Sequence, residues 1–125
     1  MKFSTFMVTY AVITAVFGLG FVLAPAQILP IYGVTPDAPL RLIGQFFGAV
    51  LISLALLTWL TRNLSDSEAR RAIVLALLVG ETIGFILALI GQLNGVLNVM
   101  GWAVVVVYLF FALGLGYFQF FKPVS

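Results

Sequence analysis

The sequence predicts an all-α fold, a four-helix transmembrane bundle with both termini cytoplasmic, built as one membrane domain over residues 1–125. Three observations predict it. Apolar residues make up 63% of the chain, and only 10 residues are charged, six Lys or Arg and four Asp or Glu. Soluble domains carry roughly 25% charged residues and 45–50% apolar ones. The uncharged runs reach the length of about 20 residues that a membrane helix needs. The cations also fall mainly on one side of the implied topology.

The first span is read as 4–24, ending before Pro25. With Lys2 ahead of it and Ala24-Pro25-Ala26 behind, it imitates a secretory signal peptide. Its apolar run exceeds the 7–15 residues or so of a signal core, so it is expected to be a true span. The second is read as 40–61, entered through Thr35-Pro36-Asp37 with Pro36 at the first helical position. The third is read as 66–91. Ser65-Asp-Ser-Glu68 reads as a capping box, with Ser65 bonding first-turn amides and Glu68 reaching back. The fourth is read as 97–120, after the polar, glycine-containing turn Gly91-Gln-Leu-Asn-Gly-Val-Leu-Asn98.

The first connection differs from the other two. Residues 25–39 contain Pro25, Pro30, Pro36 and Pro39, yet are apolar between them. This segment is expected to lie flat at the outer surface or to fold back over the bundle as a lid. With an even number of spans, Lys2, Arg62, Arg70, Arg71 and Lys122 share one side and Arg41 holds the other. That asymmetry places both termini in the cytoplasm. Trp59, Trp102 and Tyr117 fall near span ends, where amphipathic rings anchor.

Helices in lipid associate through small residues that let backbones approach. Gly44 and Gly48 supply such a motif in the second span. Gly80, Gly84 and Gly91 supply it in the third, on a seam shared with Glu81. Phe110, Phe111, Phe118, Phe120 and Phe121 read as a lipid-facing surface, or as one for a partner subunit or a flat hydrophobic cofactor. Gly20-Phe-Val-Leu-Ala24 resembles Gly84-Phe-Ile-Leu-Ala88, a similarity that chance produces readily in so restricted an alphabet.

Glu81 is the one acid inside a span. Its insertion costs about 2.5–3.5 kcal/mol, whereas twelve Leu, Ile, Val or Phe residues between Ala72 and Gln92 return about 4–7 kcal/mol. The helix therefore inserts with its acid, which is expected to be protonated. Tyr108 and Thr14 fall at similar depth and are candidate hydrogen-bond partners. Arg41 lies about 15 Å shallower, with Gln45 one turn deeper as a candidate relay. Two readings stand open for Glu81. It marks a ligand, proton or cation site, or it is a protonated acid that joins two helices. Arg41 reads either as part of that site or as a helix-end residue snorkelling to headgroups.

The chain has no Cys and no His. Thiol and imidazole chemistry, Cys- or His-held metals and His-containing triads are thereby excluded, and no metal site is expected. A net charge of +2 without a basic cluster gives no footprint for nucleic acid. No nucleophile–base pair is visible, so an enzymatic role is not expected. No cofactor is predicted, apart from a bound lipid or hydrophobic cofactor in contact with the aromatic surface.

Size and helix count resemble the small multidrug transporters, but their essential membrane Glu is in the first helix and this chain's is in the third. The Pro-rich first outer loop, Arg41-x-x-Gly44-x-x-x-Gly48 and a polar residue within the third span resemble the DoxX-like and related small bacterial four-helix membrane proteins. That resemblance implies a bacterial cytoplasmic membrane and the fold, with no activity attached. The expected role is a non-enzymatic accessory or structural subunit of a larger membrane complex. Its partners are membrane lipids and either other subunits or further copies of itself. The alternative is a homo-oligomeric binding or proton-coupled transport protein that uses Glu81, Tyr108 and Gln45.

Overall fold

Where water is scarce, a backbone must satisfy its own N–H and C=O groups, and an uninterrupted helix does so within one segment. The long uncharged runs take this form. The computed structural model describes residues 1–121. In chain order it holds α1 (Phe3–Leu23), α2 (Pro25–Ile28), a 3-10 turn (Leu29–Tyr32), α3 (Ala38–Leu60), α4 (Glu68–Leu93) and α5 (Gly101–Gly116), with a π-wound last turn at Tyr117–Phe121. The four long helices, counting α5 with its π turn, are long and apolar enough to cross a membrane. The all-α class is as expected. Lys122, counted above for topology, lies outside the described residues.

The helices form two compact units, Phe3–Arg62 and Asn63 onward. In the first, α1 and α3 run antiparallel. A Cβ on Gly18 would stand 3.0 Å from the Gly48 carbonyl oxygen, and one on Gly48 would stand 2.8 Å from that of Gly18. Such a crossing is open to glycine alone. One turn on, Gly44 faces the Phe21 ring, which packs edge-on against Phe47 with centroids 5.3 Å apart. The Gln45 side-chain amide donates to the Val22 carbonyl at 3.1 Å. The motif Gly44-x-x-x-Gly48 is thus a packing seam, as expected.

Pro25 stops α1 because it has no N–H to continue the ladder and its ring clashes with the preceding turn. The chain then turns back through α2, whose Ile28 packs on Gly20. The 3-10 turn follows, with Leu29 buried. Gly33, at φ 81°, ends it with paired bonds from Val34 N–H to the Leu29 carbonyl and from Gly33 N–H to the Pro30 carbonyl. Burial pushes the Tyr32 phenol above its usual pKa. The proline-rich connection is therefore folded and helical over Pro25–Tyr32. Asp37, rather than Thr35, caps α3 by accepting from Leu40 N–H at 2.9 Å. The helix begins at Ala38, so it is Pro39 and not Pro36 that lies in its first turn.

In the second unit α4 and α5 are antiparallel. Ser67 caps α4 by accepting from Arg70 N–H at 3.2 Å. The expected box on Ser65 does not form: with the helix starting at Glu68, its carboxylate is at the first helical position and cannot reach back from the third. Arg71 pairs with Asp66 at 3.1 Å. The α4–α5 turn closes on Gly95, at φ 71°. Val96 N–H bonds the Gly91 carbonyl and Gly95 N–H bonds that of Gln92, the paired reverse bonds of a Schellman motif. Asn98 then turns its side chain onto Met100 N–H at 3.0 Å. These two devices use the residues up to Met100, so α5 starts at Gly101 rather than near 97.

Candidate functional site

The buried stripe of α4 is Arg70, Val74, Leu77 and Glu81, a helical spacing that faces one side. Glu81 follows 13 residues of helix from Glu68 and precedes 12 to Leu93, so about 18–20 Å of helix lies on each side of it. It is 8% exposed. Gly84, three residues on, lies directly against the Tyr108 ring of α5, and a Cβ there would stand 2.6 Å from the ring Cδ1. Gly84 thereby lets an aromatic side chain close over the turn that carries the acid. Tyr108 lies within electrostatic reach of Glu81. The second unit therefore brings these two residues together at mid-helix depth.

The other candidates belong to the first unit. Thr14 is buried and commits its hydroxyl proton to α1, donating to the Tyr10 carbonyl at 2.8 Å. Gln45 donates to Val22, which makes it a clamp between α1 and α3. Arg41 is exposed in the first turns of α3, as a headgroup-facing cation would be.

Two packing expectations are corrected. Gly80 and Gly91 have no neighbouring atom within 4 Å of an added Cβ, so neither is a close-packing position within the second unit. The stripe passes through Glu81 and Gly84, and Gly80 lies to one side of it because each residue turns the helix by about 100°. Phe111 and Phe118 do not face lipid, being 2% and 5% exposed. They share the buried face of α5 with Leu115, four residues from one and three from the other, whereas Phe110, Phe120 and Phe121 are exposed.

Other polar residues acquire roles that charge counting missed. Arg70, 4% exposed, begins the same stripe as Glu81 and extends Nη1 toward the Leu64 carbonyl at 3.4 Å. Extending the stripe back by four from Val74 would have found it. Thr58 is fully buried and donates to the Leu54 carbonyl at 2.9 Å. Its spacing from Ala55 and Gly48 was the available signal. Arg62 stacks on Trp59, its guanidinium carbon 4.1 Å from the ring centroid, and donates Nη1 to the Trp59 carbonyl at 2.7 Å.

Chemically, a carboxyl beside a phenol in an apolar setting can hold a proton or pair with a cationic group. Among the described residues no group of three or more acids forms a metal-binding cluster. A protein family described as "Domain of unknown function (DUF8292)" matches residues 2–119. No curated protein matches the chain, and no solved structure does.

Proposed function

We propose a role for a chain that belongs to the DUF8292 family: a non-enzymatic accessory subunit of a larger membrane assembly. Its termini are placed on the cytoplasmic side of a bacterial membrane. The observation that carries this reading is where the polar groups of the spans point. Thr14, Gln45 and Thr58 each spend a donor on backbone carbonyls of their own unit. The outward faces are left to large apolar side chains such as Val16, Phe46, Leu87 and Leu113. A surface of this kind works by being covered, by lipid or by another membrane segment. The cation asymmetry supports the orientation. The likeness to DoxX-like proteins at Arg41-x-x-Gly44-x-x-x-Gly48 belongs to the same reading. The test is the native mass and composition of the species extracted in mild detergent. Larger subunits in fixed ratio are expected. A species of 13.5 kDa or a simple multiple of it overturns the proposal.

The closing of Tyr108 over the turn that carries Glu81 favours one second reading, a homo-oligomeric binding or proton-coupled transport protein. Glu81→Gln then abolishes pH-dependent transport or ligand binding in reconstituted vesicles. A variant that behaves as wild type makes Glu81 a structural acid.

A further inference from the structure

The α1–α3 pair carries an open groove of about 320 Å³ on its flank. Its small residues are Ala11, Ala15 and Ala55, and its larger walls include Leu19, Ile52 and Trp59. Every lining residue is apolar and the groove is open to its surroundings, so hydrocarbon is the matter that fits it. It runs along α3 from Ile52 to Trp59, seven residues or about 10 Å. That is some two-thirds of one leaflet of a hydrocarbon core about 30 Å thick.

At the Trp59 end the character changes. Arg62 lies over the exposed Trp59 ring and is held there by the Trp59 carbonyl. A guanidinium has five N–H donors, and this carbonyl takes one. A planar, pinned guanidinium at the interface matches a phosphate in charge and in geometry. The juxtaposition supplies an apolar channel of acyl-chain dimensions and, at the depth where headgroups lie, a preorganised cation. A transmembrane helix of apolar residues alone could cover the groove but would bring no counter-charge to Arg62. An anionic phospholipid brings both parts.

We infer that this groove is a binding site for an anionic phospholipid, with one acyl chain along Ala11, Ala15 and Ala55 and the headgroup phosphate on Arg62. Trp59 forms the wall between the two parts of the ligand and reports its occupancy.

The chain has two tryptophans, Trp59 and Trp102, so Trp102→Phe leaves Trp59 as the sole emitter. The variant is reconstituted into phosphatidylcholine vesicles that contain a minority of phosphatidylglycerol. Bromine is carried on the acyl chains of one lipid or the other. The expected result is Trp59 quenching that corresponds to about fivefold enrichment of the anionic lipid over its bulk fraction, the selectivity one interfacial cation provides. Arg62→Gln brings the enrichment to unity, and Arg62→Lys retains most of it. Arg71→Gln, which removes a cation paired with Asp66, leaves it unchanged. Ala55→Leu, which fills the floor, lowers quenching by both lipids. Circular dichroism of each variant checks that the helices persist. Equal quenching by both lipids overturns the inference, as does an enrichment that survives Arg62→Gln. A Trp59 shielded from both lipids in a species of twice the chain mass also overturns it, by giving the groove to a second copy.

Discussion

Gly48→Ala tests whether the first helical pair is held by backbone proximity. The new Cβ would stand 2.8 Å from the Gly18 carbonyl oxygen and 2.9 Å from Phe21 Cβ and Val22 Cγ2. The first two of these atoms belong to or adjoin the backbone, so no side-chain rotation relieves them. Ordinary contact begins at 3.4 Å, and α1 and α3 must separate by about 0.6 Å to reach it. Overpacking of this kind costs about 1–3 kcal/mol. The Gln45–Val22 bond, one turn away at 3.1 Å, then lengthens past hydrogen-bonding range. Its loss adds about 0.6–1.7 kcal/mol in a membrane setting. Alanine returns about 0.5–1 kcal/mol over glycine within a helix. The net expected loss is about 0.6–4 kcal/mol. The assay is reversible unfolding in mixed micelles by increasing dodecyl sulfate, followed by circular dichroism and Trp59 fluorescence. Gly80→Ala is the matched control, since its Cβ meets no atom within 4 Å. It should leave stability unchanged or raise it by up to about 1 kcal/mol. The reasoning fails if Gly48→Ala is as stable as wild type, or if Gly80→Ala costs as much.

The second pair gives a parallel case. Gly84→Ala forces the Tyr108 ring away from α4, and in the same unfolding assay its cost should fall toward zero in a Tyr108→Ala background. A coupling energy of about 1–3 kcal/mol is expected from this double-mutant cycle, and strictly additive costs would refute the contact. At the start of α4, Ser67→Ala should cost about 1 kcal/mol and speed amide exchange at Arg70 roughly fivefold. Ser65→Ala should stay within about 0.5 kcal/mol, and the reverse order would restore the cap to Ser65.

The legible features are those decided within one helix or one turn. Glu81 is exceptional in the sequence because an acid among apolar neighbours needs no partner to be recognised. The Gly95 turn is legible because its glycine and Asn98 serve local backbone bonds. Gly44 and Gly48 meet α1 as their motif predicts, whereas the same rule applied to Gly80 and Gly91 marks positions that meet no neighbour within the second unit. Spacing four apart defines a face but does not say which face meets a neighbour. Phe111 and Phe118 show the converse, since aromatic residues suit lipid and protein equally well in composition. Charge counting assigns Arg70 to topology, whereas its burial belongs to the stripe it shares with Glu81.

The sequence by itself determined that this chain is all-α with four helices able to cross a membrane, and roughly where each ends. Those properties follow from hydrophobicity, length and proline, which act along the chain and need no partner. The tertiary structure alone decided which glycines touch, which phenylalanines are covered, and that Tyr108 closes on the turn of Glu81. It also decided that Gln45 is committed to Val22 and that Arg62 lies on Trp59 beside an apolar groove. In an apolar environment the hydrophobic effect cannot separate inside from outside. Ångström-scale fit between particular side chains makes that choice, and composition does not encode it.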